Sequence, residues 1–232
     1  MKIKRFVCNA IAENCYVVSE GGSCVIIDPG FDGPDELAGL YSYLEGEALT
    51  PTAILLTHTH FDHVLGVPAL VGRFGIPVFP EKHAGERLAA ERPEEVYSGE
   101  HFPCEPEKLP SGTQAKDEAE EEKLPSGLCE GMGFKVIRTP GHTPDSICFY
   151  SEKEAVLFTG DTLFAGTIGR TDLPGGDYDS EIRSIMEKLI FLPGETAIYP
   201  GHGPASTIAR ERMSNPFLEP FNEREEMDFQ SV

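Results

Sequence analysis

The chain has 232 residues, 40% of them hydrophobic, and carries a formal net charge of −20. Such a length can bury a hydrophobic core without disulfide bonds. The acidic excess argues against nucleic acid or an anionic membrane as the main partner, because phosphate binding needs clustered Lys and Arg. No stretch approaches the ~18 apolar residues of a membrane span.

The N-terminal segment is basic over Met1–Phe6 but lacks the long apolar run of a signal peptide. We therefore expect a cytoplasmic protein. Its six cysteines form no C-x-x-C pair, which favours reduced thiols over a disulfide framework or a cysteine-based site. The expected organisation is a single domain over residues 1–232, with a short C-terminal tail after about residue 218.

Short strands alternate with helices along the chain. Helical periodicity predicts helices over Asp35–Leu44, Val67–Phe74 and Tyr178–Leu189, the last capped by Asp177. Apolar, β-branched runs predict six strands: Ser23–Ile27, Ala53–Leu56, Phe134–Arg138, Ser146–Tyr150, Ala155–Phe158 and Thr196–Tyr199. This alternation predicts a layered α/β fold whose site lies where the strands end.

An acidic segment interrupts the pattern at about residues 105–127. Glu107–Gly112 repeats as Glu122–Gly127, and the run between the two copies is almost without apolar residues. Such a composition cannot bury enough surface to order itself, so we predict a solvated loop enlarged by local duplication. An acidic interaction segment is the alternative.

The strongest local signal is the run from Thr57 to His63, which contains His58, His60, Asp62 and His63. It follows a predicted strand directly. On an extended loop His58 and His60 point the same way, because side chains repeat every second residue. Asp62 and His63 come one turn later and can address a neighbouring point. This spacing suits two adjacent cations better than one.

Three more predicted strands end in a residue that can bind a metal. His142 follows Pro-Gly, Asp161 follows Thr-Gly, and His202 follows Pro-Gly. Glycine before each one fits a backbone that turns sharply and approaches a site closely. Five of the seven histidines lie in these motifs, and such clustering at strand ends is typical of a metal site rather than of scattered surface residues.

These motifs, H-x-H-x-D-H, P-G-H-T, T-G-D and G-H-G, resemble those of the metallo-β-lactamase superfamily, in particular its short-form glyoxalase II-like branch. The resemblance covers nearly the whole chain and implies a four-layer αβ/βα sandwich. It implies that His58, His60 and His142 hold one metal ion. Asp62, His63 and His202 would hold a second, with Asp161 bridging both. Zinc is favoured, and iron or manganese fit the same donors.

The resemblance implies a binuclear hydrolase of small acyl-thioesters. Asp62 would orient the attacking water or carry its proton, while Arg170 either contacts an anionic substrate or pairs with Asp172. Thr57, Thr59 and Asp28 are candidates for orienting the imidazoles, although Asp28 could simply cap a turn. Glu219 stands where longer glutathione-binding relatives commonly have a basic residue, so the thiol carrier stays open.

Other reaction classes share the fold. The main alternative is a persulfide dioxygenase with one iron held by two histidines and an aspartate; the Gly-His-Gly form of the His202 motif favours a hydrolase. A β-lactamase is less favoured because the donor set contains no cysteine. A metal-binding protein without turnover has no support, since no donor is missing. Nothing in the sequence indicates the oligomeric state.

Overall fold

The computed structural model describes residues 1–80 and 132–221. Its N-terminal half contains one five-stranded sheet in chain order. The strands are β1 (Lys2–Cys8), β2 (Glu13–Glu20), β3 (Ser23–Ile27), β4 (Thr50–Leu55) and β5 (Val78–Phe79). The first three pair antiparallel, whereas β3, β4 and β5 run parallel, so β3 and β4 end at the same edge.

The C-terminal half contains a second five-stranded sheet with the order β12-β11-β8-β7-β6. These strands are β6 (Phe134–Arg138), β7 (Ile147–Ser151), β8 (Val156–Gly160), β11 (Ala197–Pro200) and β12 (Ser206–Thr207). A small hairpin of β9 (Leu163–Phe164) and β10 (Thr167–Ile168) follows β8. Strands β8 and β11 run parallel, which again brings two strand ends to one edge.

Helices follow the strands of both sheets. The N-terminal half has α1 (Pro34–Gly46), α2 (Phe61–Val64) and α3 (Val67–Phe74). The C-terminal half has α4 (Tyr178–Ser184), which continues as a π-helical turn over Ile185–Leu189, then α5 (Ile208–Ser214) and a 3-10 segment over Pro216–Phe221. None of the helices in the described ranges is long and apolar enough to cross a membrane.

Alternate residues of the central strands face different hydrophobic cores, as the two-residue period of a strand requires. On β2, Tyr16 and Val18 pack between the two sheets, whereas Cys15 and Val17 pack against α1 and α3. On β8, Phe158 lies between the sheets and Leu157 faces the C-terminal helices. The order is therefore helices, sheet, sheet, helices, which confirms the predicted four-layer sandwich.

All six predicted strands and all three predicted helices are present, with boundaries that differ by up to three residues. The interpretation of Tyr178–Leu189 as one regular helix was wrong in its second half, which is π-helical. The β1–β2 hairpin was not predicted. The acidic segment at about 105–127 lies outside the described residues, as does the tail beyond residue 221, so the single-domain assignment stays a prediction.

Candidate metal centre

Strand ends of both sheets meet at one edge of the sandwich. There the β4 end leads into the loop that carries His58 and His60, and the β8 end leads to Asp161. The start of β2 joins the two sheets, because Glu13 forms an isolated β-bridge with His202 and the Asn14 N–H donates to the Gly201 carbonyl at 2.6 Å.

Three imidazoles converge to form the first donor group, which consists of His58, His60 and His142. His58 Nε2 lies 3.2 Å from His60 Nδ1, and His142 Nε2 lies 2.9 Å from the same atom. His58 and His142 are buried, while His60 is partly buried. These three nitrogen atoms, two from the loop after β4 and one from the loop after β6, form a compact three-nitrogen face that could hold one cation.

The second donor group consists of Asp62, His63 and His202. The carboxylate Oδ2 of Asp62 lies 3.2 Å from His202 Nε2 and 3.4 Å from His63 Nε2. Asp62 and His63 lie in the short helix α2, and both are buried. This group mixes one carboxylate with two imidazoles, a combination that suits zinc, iron or manganese.

Asp161 lies between the two groups. Its Oδ1 is 3.4 Å from His63 Nε2. Its Oδ2 is 3.6 Å from His142 Nε2 and 3.6 Å from His202 Nε2. The structure thus brings together all seven predicted donors. Asp161 faces His63 with Oδ1, and His142 and His202 with Oδ2.

Hydrogen bonds on the far side of two of the rings, those of His58 and His142, set their tautomers. The Thr57 hydroxyl donates to Asp28 Oδ2 at 2.6 Å and lies 3.1 Å from His58 Nδ1, so it accepts the proton of that nitrogen. His142 Nδ1 lies 2.7 Å from the Arg170 carbonyl, which can only accept. His58 and His142 therefore direct unprotonated Nε2 atoms toward the donor groups, as metal ligation requires.

Asp28 supports two histidines rather than capping a turn. Its Oδ2 lies 3.1 Å from His63 Nδ1, and its Oδ1 accepts from the Thr57 N–H at 2.7 Å. Thr59, the third candidate for this role, instead donates to Asp145 Oδ2 at 3.0 Å. Two of the three predicted supporting residues therefore contact an imidazole.

The electrostatics of the centre fit a cation site. Burial lowers the pKa of His60 to about 4, assisted by the neighbouring His142, and burial with nearby His63 holds the pKa of His58 well below its usual range. These rings are neutral at pH 7 and offer lone pairs. Burial opposes ionisation of Asp161, but His63 outweighs it and lowers the pKa of Asp161, so that carboxylate is charged.

Two buried atoms supply a further test of fit. His63 Nε2 and Asp161 Oδ1 have no hydrogen-bond partner within residues 1–80 and 132–221, although both are fully enclosed. Buried polar groups are normally satisfied, and an orphaned pair signals a missing ion or water. Because both atoms point between the two donor groups, the residues present fit bound divalent cations.

Arg170 lies at this edge, but its guanidinium is exposed and forms a bidentate pair with Asp172, with both N–O distances at 2.8 Å. The pairing alternative is therefore the one observed. Its main-chain carbonyl, rather than its side chain, orients His142. A contact of the Arg170 side chain with substrate stays a prediction.

Sequence reasoning missed two buried carboxyl groups beside the donors. Glu13 Oε1 lies 3.8 Å from His63 Nδ1, and burial raises its pKa well above the usual range. Glu181 Oε2 accepts from the His142 N–H at 2.9 Å, and burial raises its pKa to about 8. Glu181 shares a helix face with Ile185, four residues on, and that periodicity could have marked it as buried.

A family model described as the metallo-beta-lactamase superfamily matches residues 9–202. Among curated proteins, the chain is 36% identical to the hydroxyacylglutathione hydrolase GloC of Haemophilus influenzae, over 94% of this chain and 98% of that protein. It is 34% identical to the probable metallo-hydrolase YqgX of Bacillus subtilis, over 96% of this chain and 100% of that protein.

Solved structures of the same superfamily are similar to this chain as well. BLEG-1, a B3 metallo-beta-lactamase, has a TM-score of 0.74 and 40% identity, with 94% of this chain and 99% of that chain covered. TTHA1623 in a di-iron-bound form has a TM-score of 0.67 and 37% identity, with 93% of this chain and 100% of that chain covered. ETHE1 from Myxococcus xanthus has a TM-score of 0.66 and 26% identity, with 93% of this chain and 84% of that chain covered. The chain therefore belongs to the metallo-beta-lactamase superfamily.

Proposed function

We propose that this chain is a metal-dependent hydrolase of small acyl-thioesters whose site holds two divalent cations. The observation that carries the proposal is the position of Asp161, which faces both donor groups at 3.4–3.6 Å. His58, His60 and His142 would hold one cation, and Asp62, His63 and His202 the other. Zinc is our first choice; the di-iron form of TTHA1623 makes iron the second.

When bound, divalent cations supply a Lewis acid for a carbonyl oxygen and a water that ionises near neutral pH. Asp62 would orient the attacking water and take its proton. Burial opposes the ionisation of Asp62, but the hydrogen bond from His202 and the charge of His63 lower its pKa, so it is present as a proton acceptor. The departing thiol has a pKa of about 8.5 and needs no strong acid to leave.

The likeness to GloC supports the thioester class, because a hydroxyacylglutathione is an acyl-thioester of glutathione. Glutathione itself is a weaker proposal. Glu219 is exposed after the C-terminal helix, and a carboxylate there would repel the carboxylates of glutathione. We therefore propose the acyl-thioester bond as the reactive group and leave the thiol carrier to experiment.

A persulfide dioxygenase is the second candidate. A set of two histidines and one aspartate is available in His58, His142 and Asp161, with His142 Nε2 3.6 Å from Asp161 Oδ2. The likeness to ETHE1 places that structure in the same fold. We favour the hydrolase because Asp62, His63 and His202 form a complete second group, which a single-iron enzyme would not need.

The test is turnover by one preparation on three substrate classes. We expect hydrolysis of acyl-thioesters of glutathione, coenzyme A or N-acetylcysteamine, and no oxygen uptake with a persulfide. A β-lactam belongs in the same assay, because BLEG-1 is named as a B3 metallo-beta-lactamase. Asp161→Asn should lose turnover, while the control Asp35→Asn, at an exposed position in the first turn of α1, should keep it. Oxygen uptake without thioester hydrolysis would instead establish the dioxygenase.

A further inference from the structure

Glu181 is a fully buried carboxyl group that is not one of the seven donors. It lies in the first turns of α4, whose N-cap Asp177 accepts from the Ser180 N–H. A buried carboxyl group is costly unless a specific contact compensates it. The contacts of its two carboxyl oxygens therefore indicate the role of Glu181.

One oxygen of Glu181 holds the backbone of a donor residue. The His142 N–H donates to Glu181 Oε2 at 2.9 Å. The surrounding loop is tied to the same helix, because the Asp177 N–H donates to the Gly141 carbonyl at 2.8 Å and the Ser184 hydroxyl donates to the Pro140 carbonyl at 2.7 Å. A side chain at Gly141 would overlap the Glu181 backbone, so helix and loop are in direct contact.

The other oxygen of Glu181 faces the segment that orients the imidazole of His142. A Cβ atom placed on Gly169 would lie 2.9 Å from Glu181 Oε1. The next residue, Arg170, is the one whose carbonyl lies 2.7 Å from His142 Nδ1. Glu181 therefore accepts a hydrogen bond from the backbone of His142 and packs closely beside the segment that carries the hydrogen-bond acceptor of His142 Nδ1.

We propose that Glu181 is a positioning residue for the three-histidine half of the metal centre. It acts through His142 by holding the Pro140–His142 loop and the Gly169–Arg170 segment at a fixed separation. Second-layer groups of this kind alter metal affinity about 10- to 100-fold. The inference rests on the proposed metal-binding function. Its alternative is a purely structural tie between α4 and the loop.

The experiment measures Zn²⁺ affinity by competition with a chromophoric chelator, and the visible spectrum of bound Co²⁺, in matched variants. Glu181→Met keeps the length of the side chain but removes both acceptors. It should weaken binding of one of the two ions by about 10- to 100-fold and change the Co²⁺ spectrum. Glu181→Gln keeps an oxygen for the His142 N–H and should bind within about threefold of the parent chain.

Glu211 supplies the matched control. It is an equally buried glutamate in α5, where it accepts from the Gly166 N–H at 2.7 Å and from Asn215 Nδ2 at 2.9 Å. Glu211→Met should lower the melting temperature but leave Zn²⁺ affinity and the Co²⁺ spectrum unchanged. Selective loss in the Glu181 variant, with rescue by Gln, supports positioning.

Two results overturn the inference: a folded Glu181→Met with parental affinity and spectrum, or equal metal loss in Glu211→Met. If Glu181→Met does not fold, Glu181→Asp, which is one methylene too short to reach the His142 N–H, must show the same selective loss. A parent chain that binds no divalent metal would refute the proposed function itself, and that outcome is visible before any variant is compared.

Discussion

His58 and His142 carry their ring proton on the nitrogen that faces away from the donor groups. For His58 the acceptor is the Thr57 hydroxyl, which in turn donates to Asp28 at 2.6 Å. The chain Asp28–Thr57–His58 thus links a buried carboxylate to an imidazole through one hydroxyl. Because a hydroxyl can accept and donate at once, Thr57 is the residue at which this link can be cut without removing a charge.

We predict that Thr57→Val weakens metal binding about 10- to 100-fold, because His58 loses the group that sets its tautomer. The side chain keeps its shape, but Asp28 Oδ2 and His58 Nδ1 each lose a buried partner, which costs about 1–3 kcal/mol of folding free energy; thermal unfolding is therefore measured beside metal affinity. Competition with a chelator would measure the metal affinity. Thr52→Val is the matched control, since the Thr52 hydroxyl donates to the Cys24 carbonyl away from the donors. Equal affinities in the two variants would refute the role of Thr57.

At Gly201 the backbone closely approaches the side chains of two donors. A Cβ atom there would overlap Asp161 Oδ1 and lie 2.7 Å from His63 Cε1. We predict that Gly201→Ala displaces both donors and reduces the metal content below two ions per chain, as elemental analysis would measure. Gly39→Ala is the control. Gly39 is an exposed helical glycine with no atom within 4 Å of its Cβ position, so alanine there should stabilise the fold by ~1 kcal/mol. Full metal content in Gly201→Ala would contradict this account.

The seven side chains that converge at this edge could be proposed as donors from sequence, because each lies in a short local motif such as the run from His58 to His63. Glu13 and Glu181 could not be identified in this way. Their role depends on contacts with His63 and His142, which come from distant parts of the chain.

At the scale of elements, the start of β2 determines the position of a loop in the opposite sheet. Asn14 Nδ2 donates to the Pro200 and Gly203 carbonyls, both at 2.9 Å, and the Tyr16 hydroxyl donates to the Pro200 carbonyl at 2.6 Å. These bonds enclose His202 on both sides. The β1–β2 hairpin therefore belongs to the architecture of the second donor group.

We predict that Asn14→Ala loosens the His202 loop and selectively weakens the second metal ion, with about one ion per chain remaining. It also leaves two carbonyl groups without this donor, at ~1–3 kcal/mol of folding free energy each if no water replaces it. Elemental analysis and thermal unfolding would measure both effects. Asn215→Ala is the control, because Asn215 is an equally buried amide bound to Thr167 and Glu211. It should lose stability and keep both ions.

Strand β2 carries the apolar run Cys15–Val18 and could have been recognised from sequence, whereas β1 escaped sequence reasoning for a physical reason. Strand β1 lies at the edge of its sheet, and its residues Lys2, Lys4 and Arg5 are exposed. Its sequence therefore lacks the apolar run by which the central strands were recognised. The π-helical turn after Ser184 was missed because five-residue hydrogen bonding leaves no distinct pattern in a short amphipathic segment.

At the scale of the whole molecule, the two facing sheets concentrate charge at one edge. The chain carries a formal charge of −20. The donor groups nevertheless combine neutral imidazoles at His58 and His60 with the buried carboxylate of Asp161, which the charged His63 keeps ionised. Ionised, buried carboxylates are stabilised by bound cations. A layered α/β fold could be predicted from strand and helix alternation, and its four layers from the resemblance to the superfamily. The meeting of both sheets at His202 depends on tertiary contacts.

The most direct test of this account is the metal-to-protein ratio of the chain purified without added metal, measured by elemental analysis. We predict about two divalent ions per chain, because Asp161 lies between two complete donor groups. Asp161→Ala should lose both ions, whereas Asp172→Ala should retain them. A parent chain that holds one iron, and does not take up a second ion on titration, would contradict the binuclear centre.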